Sequence, residues 1–178
     1  MCGIAGILSQ NKIFVSEQRI KKATDAIAHR GPESEGHWLN KEGNVALGHR
    51  RLSIIDLLPE AAQPFFYNDR FVLVYNGELY NYKELKKSLQ QKGCVFTTAS
   101  DTEVIVAAYS YYKNDCLTHF NGMFAFAVWD KKEQTLFAAR DRFGEKPFYY
   151  YEDKEQFTFA LEACEFAISQ YPYSASLL

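Results

Sequence analysis

The sequence contains no run of lysine or arginine, and its net charge is only −2. That excludes the basic footprint on which nucleic-acid binding depends. No apolar run approaches the roughly 20 residues that span a bilayer, so no membrane partner is expected. No basic-then-apolar leader opens the chain, and Met1 is the only residue expected to be cleaved. Cys2, Cys94, Cys116 and Cys164 show neither paired metal spacing nor a disulfide framework. His29, His37, His49 and His119 have no i, i+4 pairing around a carboxylate. A reducing, cytoplasmic setting without a metal site is the simplest reading. Internal repeats, low-complexity tracts, linkers and Gly-Gly pairs are absent as well.

What remains is rich in apolar and aromatic residues. The 178 residues are 47% hydrophobic, with 12 Tyr and 14 Phe, enough for a sizeable core and too apolar for disorder. One domain over residues 1–178 fits that length. Gly3 to Leu8 is small and apolar, as a buried first strand would be. Ahead of it stands Cys2. If Met1 is removed, Cys2 carries a thiol and a free α-amine on one residue. The amine titrates near about 7.7–8.0 and the thiol near about 8.5, so a proton passes between them at little cost. Thiolate and base then sit together as a nucleophile. The opening octapeptide alone favours a plainer role, a small residue starting a strand.

The rest of the chain supplies context. Ser16 opens a helix with Ile20, Ala23 and Ile27 on one face, stopped by Gly31 and Pro32. The stretch from His29 to Gly36 reads as a polar loop. Val45 to Gly48 and Leu52 to Leu57 read as short strands, with Pro59 and Pro64 bounding a loop. Phe71 to Tyr75 is a fully apolar strand that runs into Asn76-Gly77. That dipeptide is a hairpin signal. The spacing beyond it is helical instead, because Asn81 and Glu84 look like a capping box ahead of Leu85, Leu89 and the Gly93 stop. Asn76-Gly77 is therefore expected on a strand-to-helix connection, where glycine lets backbone N–H groups approach a ligand. Ser100 and Glu103 form a second box before a helix through Val104, Ala107, Ala108 and Tyr111. Strands are expected at Gly122–Trp129, Gln134–Arg140, Phe148–Tyr151 and Gln156–Leu161. Strands, two central helices and more strands give an α+β pattern of mainly antiparallel sheets.

Seven segments taken together resemble the glutamine amidotransferase domain that opens asparagine synthetases. They are Met1 to Gly6, His29 to Pro32, Arg51 to Asp56, Tyr75 to Asn81, Ser100 to Val104, Asn121 to Ala127 and Arg140 to Pro147. Each is weak alone; seven in order over residues 1 to about 165 are specific. The resemblance implies an N-terminal-nucleophile hydrolase fold, an αββα four-layer sandwich of two antiparallel sheets. It also implies hydrolysis of L-glutamine to glutamate and ammonia, the ammonia serving ATP-dependent asparagine synthesis. Cys2 is then the nucleophile, with its own α-amine as base. The Asn76 side chain and the Gly77 N–H are the oxyanion donors. Arg51 holds the substrate α-carboxylate, Leu52, Ser53, Ile54 and Ile55 line the pocket, and Asp101 with Glu78 takes the α-ammonium. Arg30 orders the catalytic loop. No cofactor is implied for this domain, because ATP and Mg belong to a synthetase domain whose pyrophosphate loop the sequence lacks. The implied partner is that C-terminal domain or a separate ammonia acceptor. Two departures stand out: Glu33 follows Pro32 where Asp is usual, and Ala160-Leu161-Glu162 replaces Ala-Ser-Glu. A related amidotransferase feeding another acceptor, such as an amino sugar, and a non-catalytic glutamine-binding regulatory domain remain the alternatives.

Overall fold

The computed structural model describes residues 2–52 and 62–162, together with the backbone of 176–177. Among the described residues ten strands fall into two sheets, and every strand pairing is antiparallel. The first sheet contains β1 (Gly3–Ser9), β2 (Ser34–Leu39), β3 (Val45–Arg51), β8 (Tyr149–Glu152), β9 (Gln156–Ala160) and β10 (Ser176–Leu177). Their order across the sheet is β10-β8-β9-β1-β3-β2. The second runs β4 (Phe65–Tyr67), β5 (Phe71–Leu79), β6 (Gly122–Asp130) and β7 (Thr135–Arg140).

Side-chain alternation along each strand decides the layers. Ile4, Val45 and Leu47 of the first sheet turn inward and meet Val72, Val74, Ala125, Ala127 and Trp129 of the second. Ala5, Ile7 and Ala46 turn outward, onto Ile20 of helix α1 (Glu17–Ala26). Phe71, Leu73 and Tyr75 leave the other outer face, toward α2 (Tyr82–Gln91) and α3 (Asp101–Tyr112). Helix, sheet, sheet, helix is the αββα order that the resemblance implied. Each fully buried aliphatic side chain here contributes roughly 1.5–3 kcal/mol. Among the described residues no helix is long and apolar enough to cross a membrane.

Local chemistry explains the helix starts. Ser16 caps α1 by accepting the Arg19 N–H at 3.2 Å, and Ser100 caps α3 by accepting the Thr102 N–H at 3.1 Å. From Asp101 to Tyr109 every residue of α3 is buried, so it packs on all sides. Glu103 does not close a box with Ser100. Its carboxylate instead accepts the Thr97 and Thr98 N–H groups, at 2.9 and 2.7 Å.

Three further expectations need correction. Asn76 and Gly77 lie inside β5, which continues to Leu79, rather than on a connection to a helix. Ladder pairing with β6 through Glu78↔Met123 and Leu79↔Gly122 outweighs the turn preference of Asn-Gly. Asn81 begins α2 without a side-chain cap. Its amide is engaged by Asn121 N–H at 3.0 Å and the His119 carbonyl at 2.9 Å, which tie the helix to the segment before β6. The polar stretch ending at Gly36 is in part strand β2, where Glu35 faces Arg50 across the ladder and pairs with it at 2.6 Å. The strand expected over Val45 to Gly48 runs on to Arg51 as β3; Leu52 lies just beyond it, and the remainder of the strand expected over Leu52 to Leu57 lies outside the described residues.

Candidate active site

Three strands and one helix start bring the expected residues to one end of the sandwich. Cys2 precedes β1, and the pairing Gly3↔Arg50 sets it beside Arg51 at the end of β3. Its sulfur lies 3.5 Å from both the N–H and the carbonyl oxygen of Leu52. Partial burial pushes the thiol pKa up. The Leu52 backbone bond and the Arg51 charge pull it back, and the Asp101 charge adds to the rise. The loop of His29 to Pro32 is pressed onto β3: a side chain at Gly31 would meet the backbone of Arg50 and Arg51. Pro32 bridges to Arg51, and the Glu33 N–H donates to the Arg51 carbonyl at 3.3 Å.

On β5 the decisive feature is which N–H groups have partners. Phe124, opposite Gly77, directs both its N–H and its carbonyl to Asp141. Gly77 therefore sits in a non-hydrogen-bonded pair, with its own N–H turned away from β6. Its neighbours on that edge are satisfied: Tyr75 N–H donates to Gln63 Oε1 at 2.6 Å, and Leu79 N–H to Asp101 Oδ2 at 3.0 Å. Strand β4 covers β5 only as far as Phe65↔Leu73, so the Gly77 N–H has no partner among the described residues. Asn76 points into the layer between the sheets. It is 2% exposed, and its Nδ2 is buried without a hydrogen-bond partner. An orphaned buried donor is costly and uncommon.

Asp101 is 5% exposed and accepts from neutral donors: Leu79 N–H, and Tyr75 O–H at 2.8 Å. Burial raises its carboxyl pKa, and the bonds from Leu79 and Tyr75 oppose that rise. Among the described residues no cation is paired with it. Burial, then the Asp101 charge and its hydrogen bond, then Glu78 and Cys2 drive the Tyr75 hydroxyl pKa well above its ordinary value. One phenol thus senses Asp101, Glu78 and Cys2 together, though Glu78 itself is exposed. Ser53, Ile54 and Ile55 lie outside the described residues.

Beside the thiol, and sharing Leu52 with it, is a cavity of about 390 Å³ lined by His29, Arg30, Pro32, Leu52 and Glu162. Glu162 pairs there with the Arg30 guanidinium and with His29 at 3.0 Å. The replaced serine of the Ala-Leu-Glu stretch, Leu161, is fully buried, and the acidic contact after it is kept. Tyr75, His49 and Glu162 were not assigned site roles from sequence. Tyr75 and His49 lie within strands, and what surrounds a polar tip there is visible only once the opposing element is in place.

The chain matches the glutamine amidotransferase domain over residues 1–173. It is 43% identical over 166 residues to asparagine synthetase [glutamine-hydrolyzing] 3 of Bacillus subtilis, covering 91% of this chain and 26% of that protein. To putative asparagine synthetase [glutamine-hydrolyzing] 2 of Methanocaldococcus jannaschii it is 43% identical over 179 residues, covering 91% and 34%. The chain therefore spans about a quarter to a third of these relatives. Glutamine phosphoribosylpyrophosphate amidotransferase from B. subtilis shares the fold, with a TM-score of 0.78 at 23% identity over 99% of this chain and 44% of that one.

Proposed function

Because the chain belongs to the glutamine amidotransferase domain family, we propose that it releases ammonia from glutamine through Cys2. A partly buried thiol with a raised pKa needs a base beside it, and loss of Met1 supplies one as the Cys2 α-amine. The amine takes the thiol proton as sulfur attacks the side-chain amide carbon. The carbonyl oxygen becomes an oxyanion, received by Asn76 Nδ2 and the Gly77 N–H. Collapse breaks the C–N bond, and the ammonium of Cys2 gives its proton to the departing ammonia. Water then cleaves the thioester to glutamate and regenerates the thiol. The sequence balances with glutamine and water alone.

The observation that carries this reading is the edge of β5. Gly77 offers an N–H without a partner among the described residues, and two residues along the same edge the Leu79 N–H reaches the carboxylate of Asp101. Two residues of strand advance about 7 Å. The four bonds from glutamine's amide carbon to its α-nitrogen span about 5 Å. A glutamine laid along this edge presents its amide oxygen to Gly77 and its ammonium to Asp101, with Glu78 adding negative charge nearby. Arg51, whose charge reaches Cys2, takes the α-carboxylate with a planar fork that lysine would not reproduce. Arg30, held by Glu162, orders the loop on β3. Leu52 to Ile55 line the pocket.

In the longer relatives' pattern the ammonia serves asparagine synthesis, by a C-terminal synthetase domain or a separate partner that also binds ATP and Mg. The free thiols of Cys2, Cys94 and Cys116 suit a reducing cytoplasm. The test is glutamate release from glutamine by the full chain, with loss of Met1 verified by intact mass. Cys2→Ala is expected to abolish release while Cys94→Ala keeps it. Activity that survives Cys2→Ala overturns the proposal.

A further inference from the structure

Tyr75 lies on β5 two residues before Gly77, and its side chain leaves the outer face, where it is buried. Residues 75, 77 and 79 share that face. The phenol ring leans along the strand across the middle one of the three: a Cβ placed at Gly77 would stand 2.9 Å from Tyr75 Cε2. Beyond Gly77 the hydroxyl donates to Asp101 Oδ2 at 2.8 Å. The Leu79 N–H donates to the same oxygen at 3.0 Å. Asp101, the first residue of α3, is thus tied to β5 by residues on both sides of Gly77, and neither bond uses its Oδ1. Tyr75 is anchored in turn through its backbone, whose N–H donates to Gln63 Oε1 at 2.6 Å.

A carboxylate that is 5% exposed has given up most of its hydration. It stays charged only where donors replace that water, and two donors on one oxygen also restrict how the group can turn. Burial raises the Asp101 carboxyl pKa, and the bonds from Leu79 and Tyr75 oppose that rise. The Leu79 bond comes from the backbone, so any residue there except proline would supply it. The Tyr75 bond needs a phenol: phenylalanine would fill the same space over Gly77 and donate nothing. We propose that Tyr75 is a positioning residue for substrate binding, whose hydroxyl fixes the Asp101 carboxylate relative to Gly77 so that it meets the α-ammonium of glutamine. The phenol acts through Asp101, not on the reacting amide.

The inference rests on glutamine hydrolysis by this site, and the experiment separates the two. Steady-state glutamate release is measured on the full chain with Met1 removed, for wild type, Tyr75→Phe, Asp101→Asn and the double variant Tyr75→Phe/Asp101→Asn. Tyr75→Phe keeps the ring and deletes one donor. It is expected to raise KM for glutamine about 5- to 20-fold, part of the worth of a hydrogen bond to a charged group. kcat should stay within about two-fold, because the Asn76 amide and the Gly77 N–H are untouched. In the Asp101→Asn background the charge is already gone, so deleting the hydroxyl should change KM by less than about two-fold. A plain loss of packing would instead follow the substitution into both backgrounds. If Tyr75→Phe does not fold because the buried carboxylate has lost a donor, the double variant, which has no such carboxylate, is compared with Asp101→Asn and decides by the same criterion. A Tyr75→Phe enzyme with wild-type KM, a loss confined to kcat, or an equal rise in KM in both backgrounds overturns the inference and leaves the glutaminase reading standing. Wild type that releases no glutamate overturns that reading and this inference with it.

Discussion

Asn76 and Asp101 divide the proposed work between turnover and binding. Among the described residues the Asn76 Nδ2 has no partner, so on the proposed reading it gains one when an oxyanion forms. Asn76→Ala is expected to reduce kcat about 10²–10³-fold, roughly 2.7–4 kcal/mol, with little change in KM. Asp101 already has its hydrogen bonds, and what it lacks is a cation. Asp101→Asn keeps the shape and removes the charge, so KM for glutamine should rise while kcat falls less. Steady-state kinetics on both variants would show the split, and an unchanged KM in Asp101→Asn would count against its role. The sequence disclosed these two residues because each stands in a recognisable string, Asn76 in Tyr-Asn-Gly-Glu and Asp101 in Ser-Asp-Thr-Glu. It disclosed neither orphaned amide nor buried phenol. Whether a donor has a partner depends on strands far apart in the chain, and no local pattern carries that.

At the scale of elements, β5 is the part that sequence described least well. Asn-Gly signals a turn and the following residues signal a helix, yet the chain stays extended through Leu79 because β6 offers a ladder of nine pairs. Long-range pairing overrode a local preference. The glycine is needed for a different reason: a Cβ at Gly77 would run into the backbone of Met123 and lie 2.7 Å from Phe124 Cα. Gly77→Ala should therefore push β5 off β6. Both thermal stability and kcat are expected to drop, the latter because the open N–H moves; calorimetry and glutamate release would check each half. The ends of α1 and α3 were legible, since a serine at the cap works through atoms within three residues. Asn81 was misread because its true partners, His119 and Asn121, are about forty residues away.

For the whole molecule, two kinds of buried titratable group make stability depend on pH in the same direction. His49 takes a proton near 6.5 when unfolded and only near about 3 when folded. Below about 6.5 the unfolded chain thus binds more protons, and stability should decline as pH falls toward 3. The slope is at most about 1.4 kcal/mol per unit from this one group. Burial pushes the Asp141 carboxyl up, but N–H groups of Lys146, Glu145, Phe124 and Phe143 hold it below its ordinary value. Its stabilisation is present above the carboxylate range and is lost as pH falls through it. Urea titrations between pH 7 and 4 should show a falling midpoint in wild type and a flatter profile in His49→Asn. Equal slopes would remove His49 as the cause. The layer order was expected from family resemblance, whereas periodicity alone reached only antiparallel sheets with helices. Alternation shows that a strand has two faces, but not which of them meets the other sheet.

Strand β4 ends its pairing at Phe65↔Leu73, four positions short of Gly77. Had that neighbour run alongside β5 to the level of Gly77, its carbonyls would occupy an amide that has no partner among the described residues, and the sheet would be better satisfied and chemically inert. A brief strand is usually read as a weak border of a sheet. On the proposed reading its brevity turns ordinary backbone into a receptor for negative charge, and an insertion that lengthened β4 is expected to quench turnover without altering a single side chain of the site.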